Sequence, residues 1–210
     1  MYLSKQNNLM KLNYILFAAV AFIYVGCVSP TPLEQSWTNP VKTDSTKRFQ
    51  KILFVALLKD AYTRKVAEDK LADLVRPRGF VSYNYLPDLT ANNGDMSLIS
   101  DRLKQDGFDG MVIMRLLDIK KDPMKTSGNP PPYYNTWYGY YSTTFPLYNV
   151  PGGISSNDIQ NIETNVYSLK ENKLIWTGVT TSVNIADKNK MIDGIIAMVK
   201  QKMKDQGLIK

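Results

Sequence analysis

The stretch "FQKILFVALLKD", Phe49 to Asp60, decides how this chain folds. Ile52 to Leu58 is continuously apolar, the pattern of a strand covered on both faces, as in a sheet sandwiched between helices. Asp60 follows at once and suits the N-cap of a helix, because its carboxylate accepts from the free N–H groups of the first turn. Tyr62, Val66, Leu71, Leu74 and Val75 then recur at roughly helical spacing, up to the stop at Arg76-Pro77-Arg78-Gly79. A buried strand feeding a crossover helix predicts an α/β domain.

Reading outward, the same alternation continues. Phe80 to Leu86 reads as a second strand, Asp95 as the cap of a helix over Met96 to Gln105 with Leu98, Ile99 and Leu103 inward, and Gly110 to Lys120 as a third strand. Ile159 to Leu169 and Leu174 to Val183, joined by Lys170-Glu171-Asn172-Lys173, read as a β-hairpin with one half-buried surface, Ile175, Thr177, Val179, Thr181 and Val183 sharing a face. Asp187 then caps a last helix, Lys188 to Gln206, whose Met191, Ile192, Ile195, Ile196, Val199 and Met203 line one side before Gly207 ends it. The expectation is an α/β (α+β) domain, a mixed sheet of about five strands with three helices in the order β-α-β-α-β-β-β-α.

The other end of the chain is of a different kind. Lys5 and Lys11 precede an apolar run, Leu12 to Gly26, too short to span a bilayer and of the length of a secretory leader. The single cysteine, Cys27, follows it directly, so no disulfide within one chain is possible. Tyr24-Val25-Gly26-Cys27 resembles the lipobox of bacterial lipoproteins, with Tyr24 departing from the usual aliphatic residue. The resemblance implies cleavage after Gly26, diacylglycerol on the Cys27 sulfur and a further acyl chain, such as palmitate, on the new amino group. Two or three acyl chains anchor stably. Because Val28 rather than an acidic residue follows the cysteine, the same resemblance implies the outer membrane, and the lack of an early acidic cluster its periplasmic face.

The expected organisation is therefore a signal peptide at 1–26, an acylated cysteine and flexible tether at 27–48, and one domain at 49–210 with an aromatic-rich insertion at 121–157. The tether is rich in proline and hydroxyl residues and has no apolar period, a composition that buries too little surface to offset ordering entropy; within it Asp44-Ser45-Thr46 resembles a short O-glycosylation acceptor. Removing the leader lowers the net charge from +7 to +5 and leaves 184 of 210 residues, enough for one core. Charges of both signs are interspersed along Lys59 to Leu74, which speaks against nucleic acid as a partner.

With "KILFVALLKD" as first strand and "ETNVYSLKENKLIWTG" as hairpin, the pattern resembles the small α/β module of the TolB amino-terminal domain, of the curli-secretion lipoprotein and of lipoprotein activators of penicillin-binding proteins. It is similar also to Bacteroidetes lipoproteins that carry such a hairpin and a Tyr- and Gly-rich insertion. The resemblance implies fold and compartment and brings no catalytic motif with it.

Chemistry is narrowed mostly by absences. Without histidine, imidazole metal sites and Ser-His-Asp triads are excluded. An acylated Cys27 is no thiolate nucleophile, and Gly152-Gly153 lacks the Lys-Ser of a phosphate loop. The carboxylate pairs Asp106 with Asp109, and Asp118 with Asp122, read as turn and strand-end residues, so neither a metal nor a cofactor is expected. One polar cluster falls at the carboxyl ends of the strands, where open α/β sheets take ligands: Lys59, Asp60, Thr63 and Arg64 from the first strand and its helix, Asp118, Lys120 and Lys121 from the third. It fits a small anionic ligand or a partner's acidic patch, or else simply a helix cap among solvated lysines.

The insertion holds the richest stretch, "NPPPYYNTWYGYYSTTFPLYNVPGG", Asn129 to Gly153, with six of the chain's 13 tyrosines. It has neither helical nor alternating apolar period. Tyr133, Tyr134, Trp137, Tyr138, Tyr140 and Tyr141 combine broad apolar faces with hydrogen-bonding edges, as interfaces and sugar-stacking sites do; a packed lid and a floppy insertion remain open beside that reading. The functional expectation is a non-enzymatic binding or assembly module of the cell envelope, with membrane lipid at Cys27 and an envelope protein or glycan at the aromatic stretch. Two other readings stay open, a subunit of an oligomeric export or assembly complex and a carboxylate-based glycan hydrolase.

Overall fold

The computed structural model of the protein describes residues 33–40, 49–58, 60–85, 96–117, 129–148, 159–183, 188–205, 207 and 209. Among these residues eleven helices and strands follow one another: β1 (Leu33–Thr38), β2 (Ile52–Leu57), α1 (Ala61–Asp73), β3 (Gly79–Val81), α2 (Ser82–Tyr85), α3 (Met96–Gln105), β4 (Gly110–Leu117), α4 (Trp137–Thr144), β5 (Ile159–Ser168), β6 (Lys173–Val183) and α5 (Lys188–Asp205). Short 3-10 turns, Pro132–Tyr134 and Phe145–Leu147, flank α4. The strands form one mixed sheet in the order β1-β6-β5-β4-β2-β3. β2 runs parallel to β3 and β4, and the remaining neighbours are antiparallel.

Strand alternation sorts β2 onto both faces: Ile52, Phe54 and Ala56 point to one core, Leu53, Val55 and Leu57 to the other. The first core is closed by Ala67, Leu71 and Val75 at α1 and by Met191, Ile192, Ile195, Ile196, Val199 and Met203 of α5, the apolar row expected for that helix. The second is closed by Leu103 and Phe108 around α3 and by Tyr134, Trp137, Tyr140 and Tyr141 of the insertion. Helices thus cover both sides of a central sheet.

The expected order is present, with additions. Leu33–Thr38, expected within the tether, is an edge strand instead; Leu33–Asn39 is a proline-free run whose backbone pairs with β6 and whose Leu33 and Trp37 pack on opposite faces. The second strand stops at Val81 rather than Leu86, because a helical turn begins at Ser82. The hairpin is covered on both faces, not one, since α5 lies on one side and the insertion on the other. Ile175 leaves the face of Thr177 and Val179, for a bulge between Val166 and Tyr167 turns it to the α5 side. Leu98, expected to face inward, is exposed, and so is Tyr62 of the helically spaced row. The insertion contains a helix, Trp137–Thr144, capped by Thr136, whose hydroxyl accepts from Gly139 N at 3.2 Å. The four aromatics of this helix, Trp137, Tyr138, Tyr140 and Tyr141, crowd into a little over one turn and point to more than one side, so no helical period shows. The signal peptide, Cys27, tether residues 28–32 and 41–48, Asp95, Asp187 and Gly152-Gly153 lie outside the described residues.

Candidate functional site

On β5, Asn161, Glu163, Asn165 and Tyr167 share the face that looks toward the insertion, and on β4 Met111, Ile113, Arg115 and Leu117 do the same. The antiparallel register sets Arg115 directly opposite Glu163. Both are buried, and the Arg115 Nε–H donates to Glu163 Oε2. Two tyrosines of the insertion complete the cluster. Tyr134 accepts from Arg115 Nη2 at 3.0 Å and donates to Glu163 Oε1. Tyr140 donates to Glu163 Oε2 at 2.6 Å, and its ring centroid lies 5.2 Å from Arg115 Cζ. Beside them the Tyr148 hydroxyl donates to the Leu116 carbonyl.

The electrostatics follow from burial. A carboxylate without water is costly unless charge and hydrogen bonds replace its hydration, and here a guanidinium and two phenols do so. Burial, together with the Glu163 charge, drives Tyr134 and Tyr140 well above the ordinary phenol range, and Tyr148 is pushed up to about 12, again chiefly by burial. Burial works against the Arg115 cation, but Tyr140 and Glu163 outweigh it, so its pKa moves upward. The phenols are therefore neutral donors and the arginine a permanent cation. Each Glu163 oxygen is engaged, and the cluster pins the insertion to the sheet. Further along the same face, Asn161 Nδ2, both polar atoms of the Asn165 amide and the Tyr167 hydroxyl have no hydrogen-bond partner among the described residues.

A second buried carboxylate organises the opposite edge. Glu68 of α1 accepts from Ala56 N at 2.9 Å, Ser82 N at 2.7 Å, Ser82 Oγ at 2.7 Å, Tyr83 N at 3.2 Å and Arg64 Nε at 3.1 Å. It occupies the place beside β2 where a longer β3 would have paired, which is the physical reason that strand is short. Arg64 Nη2 also donates to Ser82 Oγ at 2.9 Å, so this arginine braces Glu68. Asp60 caps α1 as expected, accepting from Thr63 N at 2.9 Å.

The residues singled out from sequence are thus distributed as follows. Asp60 and Arg64 meet at the start of α1, whereas Lys59 and Asp118 lie outside the described residues. Asp109 holds a turn, its carboxylate accepting from Gln50 N and Lys51 N at 2.8 and 2.9 Å. Of the six aromatics, Tyr134, Trp137, Tyr140 and Tyr141 are core, Tyr133 is half-buried, and Tyr138 alone is exposed, at 38%. Sequence reasoning missed Arg115, Glu163 and Glu68. The signal was present for the first: an arginine inside the apolar run "GMVIMRLL" requires a buried counter-charge. Among the described residues no group of three acidic, cysteine or histidine side chains is placed to hold a metal. An open cleft of about 340 Å³ lies at the outer side of β3, lined among others by Asp69, Asp73, Arg76, Phe80 and Tyr83.

No protein-family model matches the chain, and no curated protein sequence matches it. Among solved structures, a variant of PelC from Paraburkholderia phytofirmans, described as a dodecamer, is similar at 8% identity and a TM-score of 0.43, over 84% of this chain and 98% of that one. A second PelC dodecamer from the same organism is similar at 7% identity and a TM-score of 0.39, over 84% and 97%. The lipoprotein GNA1162 from Neisseria meningitidis is similar at 10% identity and a TM-score of 0.35, over 74% and 98%. Likeness at this level fixes neither a site nor an activity.

Proposed function

We propose that the protein is a lipid-anchored component of the bacterial cell envelope, held by acylated Cys27, whose α/β domain works by binding rather than catalysis. The lipobox-like Tyr24-Val25-Gly26-Cys27 behind a short apolar leader supports the anchor. Among the described residues no helix is long and apolar enough to cross a membrane. One observation carries the binding reading: the insertion is two-sided. Its inner side is committed to Glu163 and Arg115, with both carboxylate oxygens engaged by donors, while Tyr138 is exposed, as are Pro132 and Asn135 of the same segment. Tyr138 packs against the buried Trp137 with the two rings nearly perpendicular, so one aromatic ring is held out on a rigid support.

Two measurements test this. Cys27→Ser should abolish incorporation of a palmitate analogue and leave the leader attached; retained label refutes the anchor. A photo-crosslinking amino acid in place of Tyr138 should capture one envelope partner in intact cells, and the same probe in place of Lys104, exposed on α3, should not. Equal capture at both positions, or at neither, refutes the surface.

A further inference from the structure

The strand added at Leu33–Thr38 changes the geometry of the anchor. Cys27 stands only six residues before Leu33, a reach of at most about 22 Å when fully extended. β6, with 11 residues, is about 36 Å long, so the link is shorter than the domain it carries. Leu33 must therefore stay close to the anchored cysteine.

The register states which end of the domain that is. Leu33 pairs with Thr180, toward the end of β6 where Val183 meets Ile159, and Asn161 meets Leu117 at the finish of β4. The chain thus enters the sheet at the end where β2 and β4 terminate. At that end also lie the start of α1, just after β2, and the start of α3, which runs back toward the beginning of β4. The 3-10 turn before Tyr148, tied to the Leu116 carbonyl, is there as well. Each of the three carries an apolar side chain in the open: Tyr62 is 72% exposed, Leu98 68% and Leu147 52%. Among the described residues the other large exposed apolar side chains lie elsewhere: Phe80 packs against Phe108 and under Lys51 near the start of β4, and Tyr138 sits at the beginning of α4, where Asn135 O accepts from Leu174 N.

We propose that this end of the domain lies on the lipid bilayer itself, with Tyr62, Leu98 and Leu147 entering the interfacial region. The proposal rests on the lipid anchor of the previous section and goes beyond it by fixing orientation. Leucine and tyrosine both favour the interface between headgroups and acyl chains. Three side chains would bind a membrane weakly from solution, but a tether of about 22 Å makes the contact intramolecular, so a weak preference suffices. The orientation points Tyr138 away from the bilayer, toward the space where a partner would arrive.

The test uses the lipidated full-length protein in phosphatidylethanolamine/phosphatidylglycerol vesicles. Cys27 is the only cysteine and its sulfur is alkylated when anchored, so Leu98→Cys, Leu147→Cys or Glu171→Cys accepts an environment-sensitive fluorophore at one place. Glu171, in the β5–β6 turn, marks the far end. Quenching by brominated phospholipid is expected to be at least twofold stronger at positions 98 and 147 than at 171. Equal quenching at all three, stronger quenching at 171, or none at any position while the protein floats with the vesicles overturns the orientation and leaves the anchor standing. A purified chain without the mass of a diacylglyceryl group on Cys27 overturns the anchor and this proposal together.

Discussion

Arg115 and Glu163 face each other across β4 and β5 beneath two phenols, and every polar group around the pair is supplied by the sheet or by the insertion. Removing one partner strands the other charge away from water. Glu163→Gln should cost about 3–5 kcal/mol, whereas the double change Arg115→Met with Glu163→Leu should recover a large part of it, because no buried charge remains. Urea unfolding of the two single variants and the double variant gives the coupling. Strictly additive losses would show that the pair does not act as a unit.

The tyrosines of this face predict an alkaline limit to stability. Tyr134, Tyr140, Tyr141, Tyr148 and Tyr167 are all raised above the ordinary 10.0, chiefly by burial, Tyr148 to about 12. Below pH 10 both folded and unfolded chains keep these protons, and nothing changes. Above it the unfolded chain releases them while the folded chain holds them, so the unfolded state binds fewer protons and stability falls as pH rises. Each such tyrosine contributes about 1.4 kcal/mol per pH unit. Five acting together would erase an ordinary stability within one or two units. Unfolding should therefore be abrupt between pH 10 and 12, with a shallower slope for Tyr140→Phe; a domain stable at pH 12 would contradict it.

Glu68 gives a sharper local test. Its carboxylate is the acceptor for three backbone N–H groups, those of Ala56, Ser82 and Tyr83, and an orphaned buried donor costs about 1–3 kcal/mol. Glu68→Ala is expected to lose at least about 3 kcal/mol by chemical denaturation, and Glu68→Gln less, since one acceptor oxygen survives. Equal losses would mean that the carboxylate does not organise this edge.

What was legible in the sequence was whatever repeats. The apolar run Ile52–Leu57, the buried row of α5, the hairpin arms and the Asp60 cap carry period or composition, and each appears where expected. What was hidden depends on partners far apart in the chain. β3 ends early because Glu68, 14 residues before Ser82, takes its backbone. β1 forms because β6, over 130 residues later, offers an edge, and main-chain pairing leaves little trace in side-chain type. The aromatic helix was invisible for another reason: tyrosine occurs on its buried side and on its exposed side alike, so Tyr138 and Tyr140 look the same until the fold separates them.

That separation carries the last prediction. Trp137 and Tyr138 are neighbours on α4 with opposite roles: the indole is buried in the core against the sheet, and the phenol stands edge-on to it and exposed. Trp137→Ser should cost about 3–5 kcal/mol, because it empties a large buried volume between the helix and the sheet. Tyr138→Ser should stay within about 0.5 kcal/mol, as exposed substitutions do, while lowering recovery of the envelope partner at least tenfold. Thermal unfolding and crosslinked recovery, measured on the same two variants, separate fold from surface. If Tyr138→Ser also unfolds the domain, the exposed aromatic is part of the core and the outer face of the insertion is not a binding surface; if both variants fold and both retain the partner, the partner binds elsewhere on the domain.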